Sequence, residues 1–248
     1  MPDRLILRLL PFAALSLPTH GALLAHYSFD SDFTDGSGQG NHLTAEPGTN
    51  PVITAAAADV AWGAGALDLD GTSWLNMTTP LTFGAADPWS VAFWGKRHPN
   101  AATQDGMVLG EEGSSGNFIW TPDNASVIQG LRFRNATGTS SDFGGLPDDR
   151  AYHHWAVIAD GAGNVTVYRD NALLGSLTPT GGTTFTASDV GQAFNAAGQI
   201  YWGQLDELYI FDEAISETTV GNLFTNIPEP GSLALVALGS LVSLRRRR

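Results

Sequence analysis

The chain has no cysteine, which excludes a disulfide framework, a zinc–thiolate site and a cysteine nucleophile. Basic residues are scarce: 12 Lys+Arg stand against 25 Asp+Glu, Lys96 is the only lysine, and the formal net charge is −13. A nucleic-acid binder needs a basic surface, so that class is excluded; the shortage of Lys and Glu excludes a coiled coil or helical bundle. Charged residues make up 15% of the 248 positions, against about 25% in an average soluble protein. A disordered acidic chain would carry more charge and fewer aromatics, whereas 7 Trp, 12 Phe and 5 Tyr are present here. No apolar run reaches the roughly 20 residues of a membrane-spanning helix. Glycine, by contrast, is abundant at 29 residues, and glycine supplies tight turns. The length suits one domain of about 200 residues or two small ones.

Both ends of the chain read as addresses rather than fold. In residues 1–22, Arg4 and Arg8 flank a short apolar run from Leu9 to Leu17, and small residues follow at Gly21 and Ala22. This is the layout of a secretory signal peptide, with an apolar helix. Thr19 and Gly21 fit the −3 and −1 positions of a cleavage site, with Ala22 or Ala25 as alternatives. Residues 228–248 open on Pro228-Glu229-Pro230, continue through uncharged residues 231–244 and close on Arg245, Arg246, Arg247 and Arg248. Proline stops a preceding element. As a helix the uncharged stretch would reach about 21 Å, short of a ~30 Å hydrocarbon core, and the arginines favour the cytoplasmic side. The tail resembles the PEP-CTERM sorting signal. The resemblance implies recognition by an exosortase, transient contact with the inner membrane of a Gram-negative-type bacterium, and a final place at the cell surface or in extracellular matrix.

Between these ends, residues 23–227 read as one domain of short strands separated by Gly-, Asn-, Asp- and Pro-rich breaks. Strands are expected at Leu24–Phe29, Ala66–Asp70, Trp89–Lys96, His153–Ala159, Val165–Arg169, Ala172–Leu177 and Ile200–Phe211, with shorter ones at 106–109, 118–120 and 129–134. The clearest hairpin turns at Asp160-Gly161-Ala162-Gly163-Asn164. Only Ser216–Phe224 looks helical, with Ser216 as its N-cap. Many short strands with regular turns predict an all-β, two-sheet antiparallel sandwich or jelly roll.

Five segments, in order, resemble a family. Tyr27-Ser28-Phe29-Asp30 followed by Asp35 and Ser37-Gly38-Gln39-Gly40-Asn41-His42 is similar to the opening of laminin-G-like domains. The segments Ala66–Gly71, Trp89–Trp94, Trp155–Asp160 with Val167-Tyr168, and Gly203–Phe211 with Ala214-Ile215-Ser216 resemble its later strands. Laminin-G-like domains belong to the concanavalin A-like lectin/glucanase superfamily, so the resemblance implies a jelly roll. Asp170-Asn171-Ala172 departs from the family's Asn-Gly hairpin, and residues 98–150 match none of its segments.

The resemblance also implies what to look for. Glucanases of this superfamily carry two carboxylates on one strand as E-x-D-x-x-E, because alternate residues share a face. None of the seven Glu begins such a motif; Asp206 and Glu207, adjacent on a strand, are expected to face opposite sheets, and His153 and His154 likewise. A catalytic function is therefore not expected. Members of the fold often hold a structural Ca2+ where the first and last strands meet, which points to Asp30 and Asp206, with Asp70 as a third ligand; calcium takes six to eight oxygens. Carbohydrate binding needs an aromatic face beside polar groups. Trp62, in a Gly/Ala-rich loop, and Trp120, before a turn, are the candidates, with Trp202 behind them; Trp74, Trp89, Trp94 and Trp155 sit in strand patterns as core.

The leading reading is a non-catalytic surface or matrix protein whose lectin-like domain binds polysaccharide or another envelope component. The alternatives are a structural or adhesive module without a sugar site, and a glycoside hydrolase lacking the usual motif. Residues 23–227 hold 6 basic and 23 acidic residues, a net charge of −17. Such a body has no affinity for anionic surfaces unless a metal bridges them.

Overall fold

The computed structural model describes residues 22–101, 106–114, 116–121, 130–144, 149–193 and 199–225. Residues 1–21 of the expected signal segment and the whole PEP-CTERM tail lie outside the described residues. Fifteen strands and one α-helix appear among the latter: β1 Leu23–Tyr27, β2 Leu43–Ala45, β3 Val52–Thr54, β4 Ala66–Asp70, β5 Leu75–Phe83, β6 Pro88–Arg97, β7 Met107–Gly110, β8 Phe118–Trp120, β9 Leu131–Arg134, β10 Ser140–Phe143, β11 His153–Asp160, β12 Val165–Arg169, β13 Ala172–Leu177, β14 Phe185–Val190, β15 Trp202–Phe211 and α1 Glu217–Thr225.

The strands form two antiparallel sheets. Sheet A runs β13-β12-β11-β6-β15-β4-β3, and β1 pairs with the far half of β15. Sheet B runs β10-β9-β8-β7-β14-β5-β2. This is the two-sheet sandwich the sequence predicts. Period-two alternation sets the packing. On β6, Trp89, Val91 and Phe93 point between the sheets. Their cross-strand partners on β11 are Ala159, Val157 and Trp155. Sheet B answers with Leu75, Ile119, Phe133 and Phe185. Trp89 sits at the centre, its ring 5.1 Å from Phe185 and 5.5 Å from Phe133. Its Nε1 donates to the Thr183 carbonyl at 2.9 Å, so the one polar atom of the indole is satisfied.

Residues 98–150, unmatched by the family segments, are part of the sandwich: they supply β7 to β10, four neighbouring strands of sheet B. Strands β2, β3, β5 and β10 escape the periodicity reading because they are short or Thr-rich, and β14 because Asp189 stands where the alternation of Phe185 and Ala187 calls for an apolar residue. Pro80 inside β5 lies where the ladder with β14 is interrupted, between Asn76 and Leu81; proline cannot donate to a ladder and needs such a break. The departure at Asp170-Asn171 is resolved by backbone geometry. Both residues adopt positive φ, 52° and 62°, as a type I′ hairpin turn requires.

The segment after β1 wraps around the buried Asp35 carboxylate. It accepts the backbone N–H groups of His26 at 3.0 Å, Ser37 at 2.8 Å and Asn41 at 2.9 Å. These bonds hold its pKa below the usual carboxylate value even though burial opposes them. After β15 the chain crosses back over sheet A. The Ser90 hydroxyl donates to the Glu213 carbonyl and accepts the Ile215 N–H. Ser216 caps α1 through the Thr219 N–H at 3.1 Å, as predicted. The helix then buries Val220 and Leu223 against Ala92, Ala156, Ile158 and Tyr209 on the outer face of sheet A.

Candidate functional site

The outer face of sheet A that α1 leaves uncovered is occupied by the loop 55–65. The loop is short of side chains that could fix it, since it is mostly Ala and Gly, and it is held through its backbone instead. Lys96, the chain's only lysine, reaches from β6 to the Ala58 carbonyl at 2.7 Å and to Asp59 Oδ1 at 2.9 Å. The Tyr152 hydroxyl donates to the Asp59 carbonyl at 2.7 Å. Asp206 Oδ2, on β15, accepts the N–H groups of both Ala61 and Trp62 at 2.9 Å. Asp30 accepts the Ala64 N–H. Gly63, at φ +68°, passes so close to Asp30 that an added Cβ would stand 2.1 Å from Oδ1. Only glycine meets both demands.

Four anchors therefore present one side chain. Trp62 is half-buried and beds edge-on against Trp94 at 6.3 Å between ring centroids. The loop around it forms an open depression of about 340 Å³, lined by Ala55, Ala57, Val60, Ala61, Trp62, Gly63 and Ala64. Beneath, Trp94 stacks on Phe224 of α1 at 5.5 Å and lies 5.4 Å from His154. Burial pushes the His154 pKa down to about 4, so the ring is neutral at pH 7. His153, on the other face, bonds Asp170 and Asp149. The two histidines diverge as their adjacency on a strand predicts.

Asp206 and Glu207 do not diverge. The ladder between β15 and β6 shifts between Asp206 and Tyr209, and Glu207 sits at φ 48°. This bulge turns Leu205 and Leu208 into the core and leaves both carboxylates on the outer side. Asp206 is fully buried, and burial, aided by the neighbouring Glu207 charge, pushes its pKa up to about 7. Glu207 is bonded by His26 Nε2 and by the Tyr209 hydroxyl, both at 2.7 Å, with the His26 and Tyr209 rings stacked at 4.1 Å. Neither carboxylate reaches solvent to act on a substrate.

The calcium ligands expected from the sequence do not assemble. Asp30 and Asp206 converge on one loop, but each accepts backbone N–H groups there. Asp70 caps its own turn through the Thr72 N–H at 2.9 Å and hydroxyl at 2.8 Å. Among the described residues no group of three or more His, Asp or Glu could hold a metal ion. Each of the three carboxylates accepts N–H groups of the protein itself, Asp206 through Oδ2 only, with its buried Oδ1 left without a partner among the described residues.

Of the aromatic candidates, Trp62 is the one set in the depression on the anchored loop. Trp120 is 7% exposed and packs with Met107, Phe118 and Ala193 on the outer side of sheet B. Trp202 is half-buried and stacks on His98 at 4.5 Å. Trp94, expected in the core, packs on the opposite face of sheet A under α1. Lys96 and Tyr152 were not singled out by sequence reasoning; the uniqueness of Lys96 and the Gly63/Gly65 spacing were the available signals.

Similarity to known proteins follows the same lines. None of the curated proteins compared matches the chain. Among solved structures, domain 4 of AbnA, a GH43 extracellular arabinanase from Geobacillus stearothermophilus determined with arabinotriose, superposes with a TM-score of 0.62 at 20% identity, over 83% of this chain and 99% of that one. The binding domain of Paraclostridial Mosquitocidal Protein 1 gives 0.56 at 16%, over 82% of this chain and 52% of its own. The botulinum neurotoxin serotype C1 binding domain gives 0.58 at 11%, over 84% and 52%. The chain thus spans about half the length of these toxin domains. At such identities the likeness is one of fold, a lectin-type β-sandwich. Residues 226–248 match the PEP-CTERM protein-sorting motif, which marks exported proteins for an exosortase. With a family match running over residues 69–221, more than half of its length, this chain belongs to the concanavalin A-like lectin/glucanase superfamily.

Proposed function

We propose that this is an exported, exosortase-sorted surface or extracellular-matrix protein of a Gram-negative-type bacterium. Its sandwich binds polysaccharide without cleaving it, through the depression around Trp62. The observation that carries the reading is the presentation of Trp62: a half-buried indole on a loop fixed from β6, β15, Asp30 and Tyr152. Preorganisation of this kind lowers the ordering cost of binding, and an apolar, aromatic-lined depression is what ligand sites use. The burial of both Asp206 and Glu207 supports a non-catalytic role. The arabinotriose held by the related arabinanase domain makes arabinan a sensible first ligand to try.

The test is a polysaccharide panel, including arabinan, probed with the full-length chain and its Trp62→Ala variant. Binding that falls at least about tenfold in the variant, with an unchanged melting temperature, is expected. Silence across the panel would favour the structural or adhesive module, and release of reducing sugar would favour the hydrolase.

A further inference from the structure

We infer that the Trp62 depression selects neutral polysaccharides and rejects uronate, sulfated and other anionic ones. This rests on the reading that the depression binds polysaccharide, and names the ligand class.

Two independent features lead there. First, every side chain lining the depression is apolar: four alanines, Val60, Gly63 and Trp62. A carboxylate or sulfate on a sugar is recognised by arginine forks, lysines or free backbone N–H groups, and among the described residues no Arg or Lys lines this surface. The loop does bring backbone N–H groups to one place, but those of Ala61, Trp62 and Ala64 already donate to the protein's own Asp206 and Asp30. An incoming anion would have to displace a carboxylate that is covalently part of the site.

Second, the charges around the loop are of one sign. Asp30, Asp59 and Asp206 stand against Lys96 alone, and Lys96 is ion-paired to Asp59 at 2.9 Å. Asp30 remains without a cation in the loop's anchoring, and Asp206 joins it as a second such carboxylate above its pKa of about 7. They lie directly behind Gly63, Ala64 and Trp62, within a Debye length of about 8 Å of anything resting on the loop. The surface that remains, the half-buried Trp62 indole with Ala and Gly around it, suits the C–H groups of uncharged sugar rings.

The experiment compares uronate polymers (polygalacturonate, alginate, hyaluronan), each beside its carboxyl-reduced form, and adds arabinan as a neutral polymer. Binding to the full-length chain is measured at 0.15 and 0.5 M salt. The expected result is Trp62-dependent binding of at least one neutral polymer. Its uronate counterpart should bind on the order of tenfold more weakly, with a gap that narrows at 0.5 M salt. Uronate polymers bound as tightly as their reduced forms, and lost in Trp62→Ala, would overturn the charge selection while leaving the depression a polysaccharide site. Binding of no polymer, or binding that Trp62→Ala does not weaken, would overturn the underlying reading itself.

Discussion

Asp206 and Glu207 are consecutive on a strand, yet both carboxylates lie on the outer side of sheet A. Asp206 fastens the Trp62 loop, and Glu207 bonds His26 and Tyr209. A bulge of one residue between Asp206 and Tyr209 puts them there. Asp206 itself keeps its ladder register opposite Trp94, and the extra residue that follows brings Glu207 to the same side.

Burial raises the Asp206 pKa to about 7, above the roughly 3.9 of an unfolded chain. Between those values the folded state binds more protons than the unfolded one, so stability falls as pH rises from about 4 to about 7 and is level above. Asp206→Asn keeps an acceptor for Ala61 and Trp62 and removes this contribution. Asp68, Asp189 and Glu112 are raised as well and leave a residual slope of the same sign. Melting at pH 5 and pH 8 checks this: the variant should gain on the wild type as pH rises, and parallel curves would refute the assignment.

Lys96→Met should loosen the loop without disturbing the core. It removes the bonds to Ala58 and Asp59. Because Asp59 is partly exposed, the cost should be about 1 kcal/mol. Limited proteolysis reads the effect directly, with faster cleavage near residues 55–60.

Trp89→Ala should cost about 3–5 kcal/mol. The indole is fully buried between Phe83, Phe133 and Phe185, and its loss also leaves the Thr183 carbonyl without its donor. Chemical denaturation measures it; a loss under about 1 kcal/mol would mean that the two sheets do not meet there.

Chelation should leave the melting temperature unchanged. Asp206, Asp30 and Asp70 already accept backbone N–H groups. A fall of several degrees in an EDTA titration would show that a calcium ion contributes after all.

The last prediction concerns the chain's end. A fragment ending at Thr225 should melt like the full-length chain, because α1 completes the outer face of sheet A. One ending at Phe211 should lose stability, since it uncovers Ala92, Ala156, Ile158 and Tyr209 and leaves the Ser90 hydroxyl without the Glu213 carbonyl.

Much of this molecule is local in origin. The alternation of β6, β11, β12 and β15 sorts inward from outward residues, Ser216 announces α1, and the glycine-rich turns punctuate the strands. These features need only a few residues of context, because side-chain direction and turn geometry are set by neighbouring dihedrals. The family segments and the sorting tail could be read from the sequence in the same way. The roles of the site residues could not. Asp206 lies 144 residues from Trp62, and Asp30 lies 34 from Ala64. Nothing in the sequence says that their oxygens meet amides rather than an ion. Trp62, in a loop, and Trp120, at a strand end before a turn, both look able to meet a ligand, yet one is presented and the other packed away, because exposure depends on what the distant chain brings over them. Composition and periodicity determined a β-sandwich with an acidic body. Only the tertiary structure decided which carboxylates became anchors, since a hydrogen bond forms where donor and acceptor are brought within reach, and that is fixed by strand order and by a single bulge.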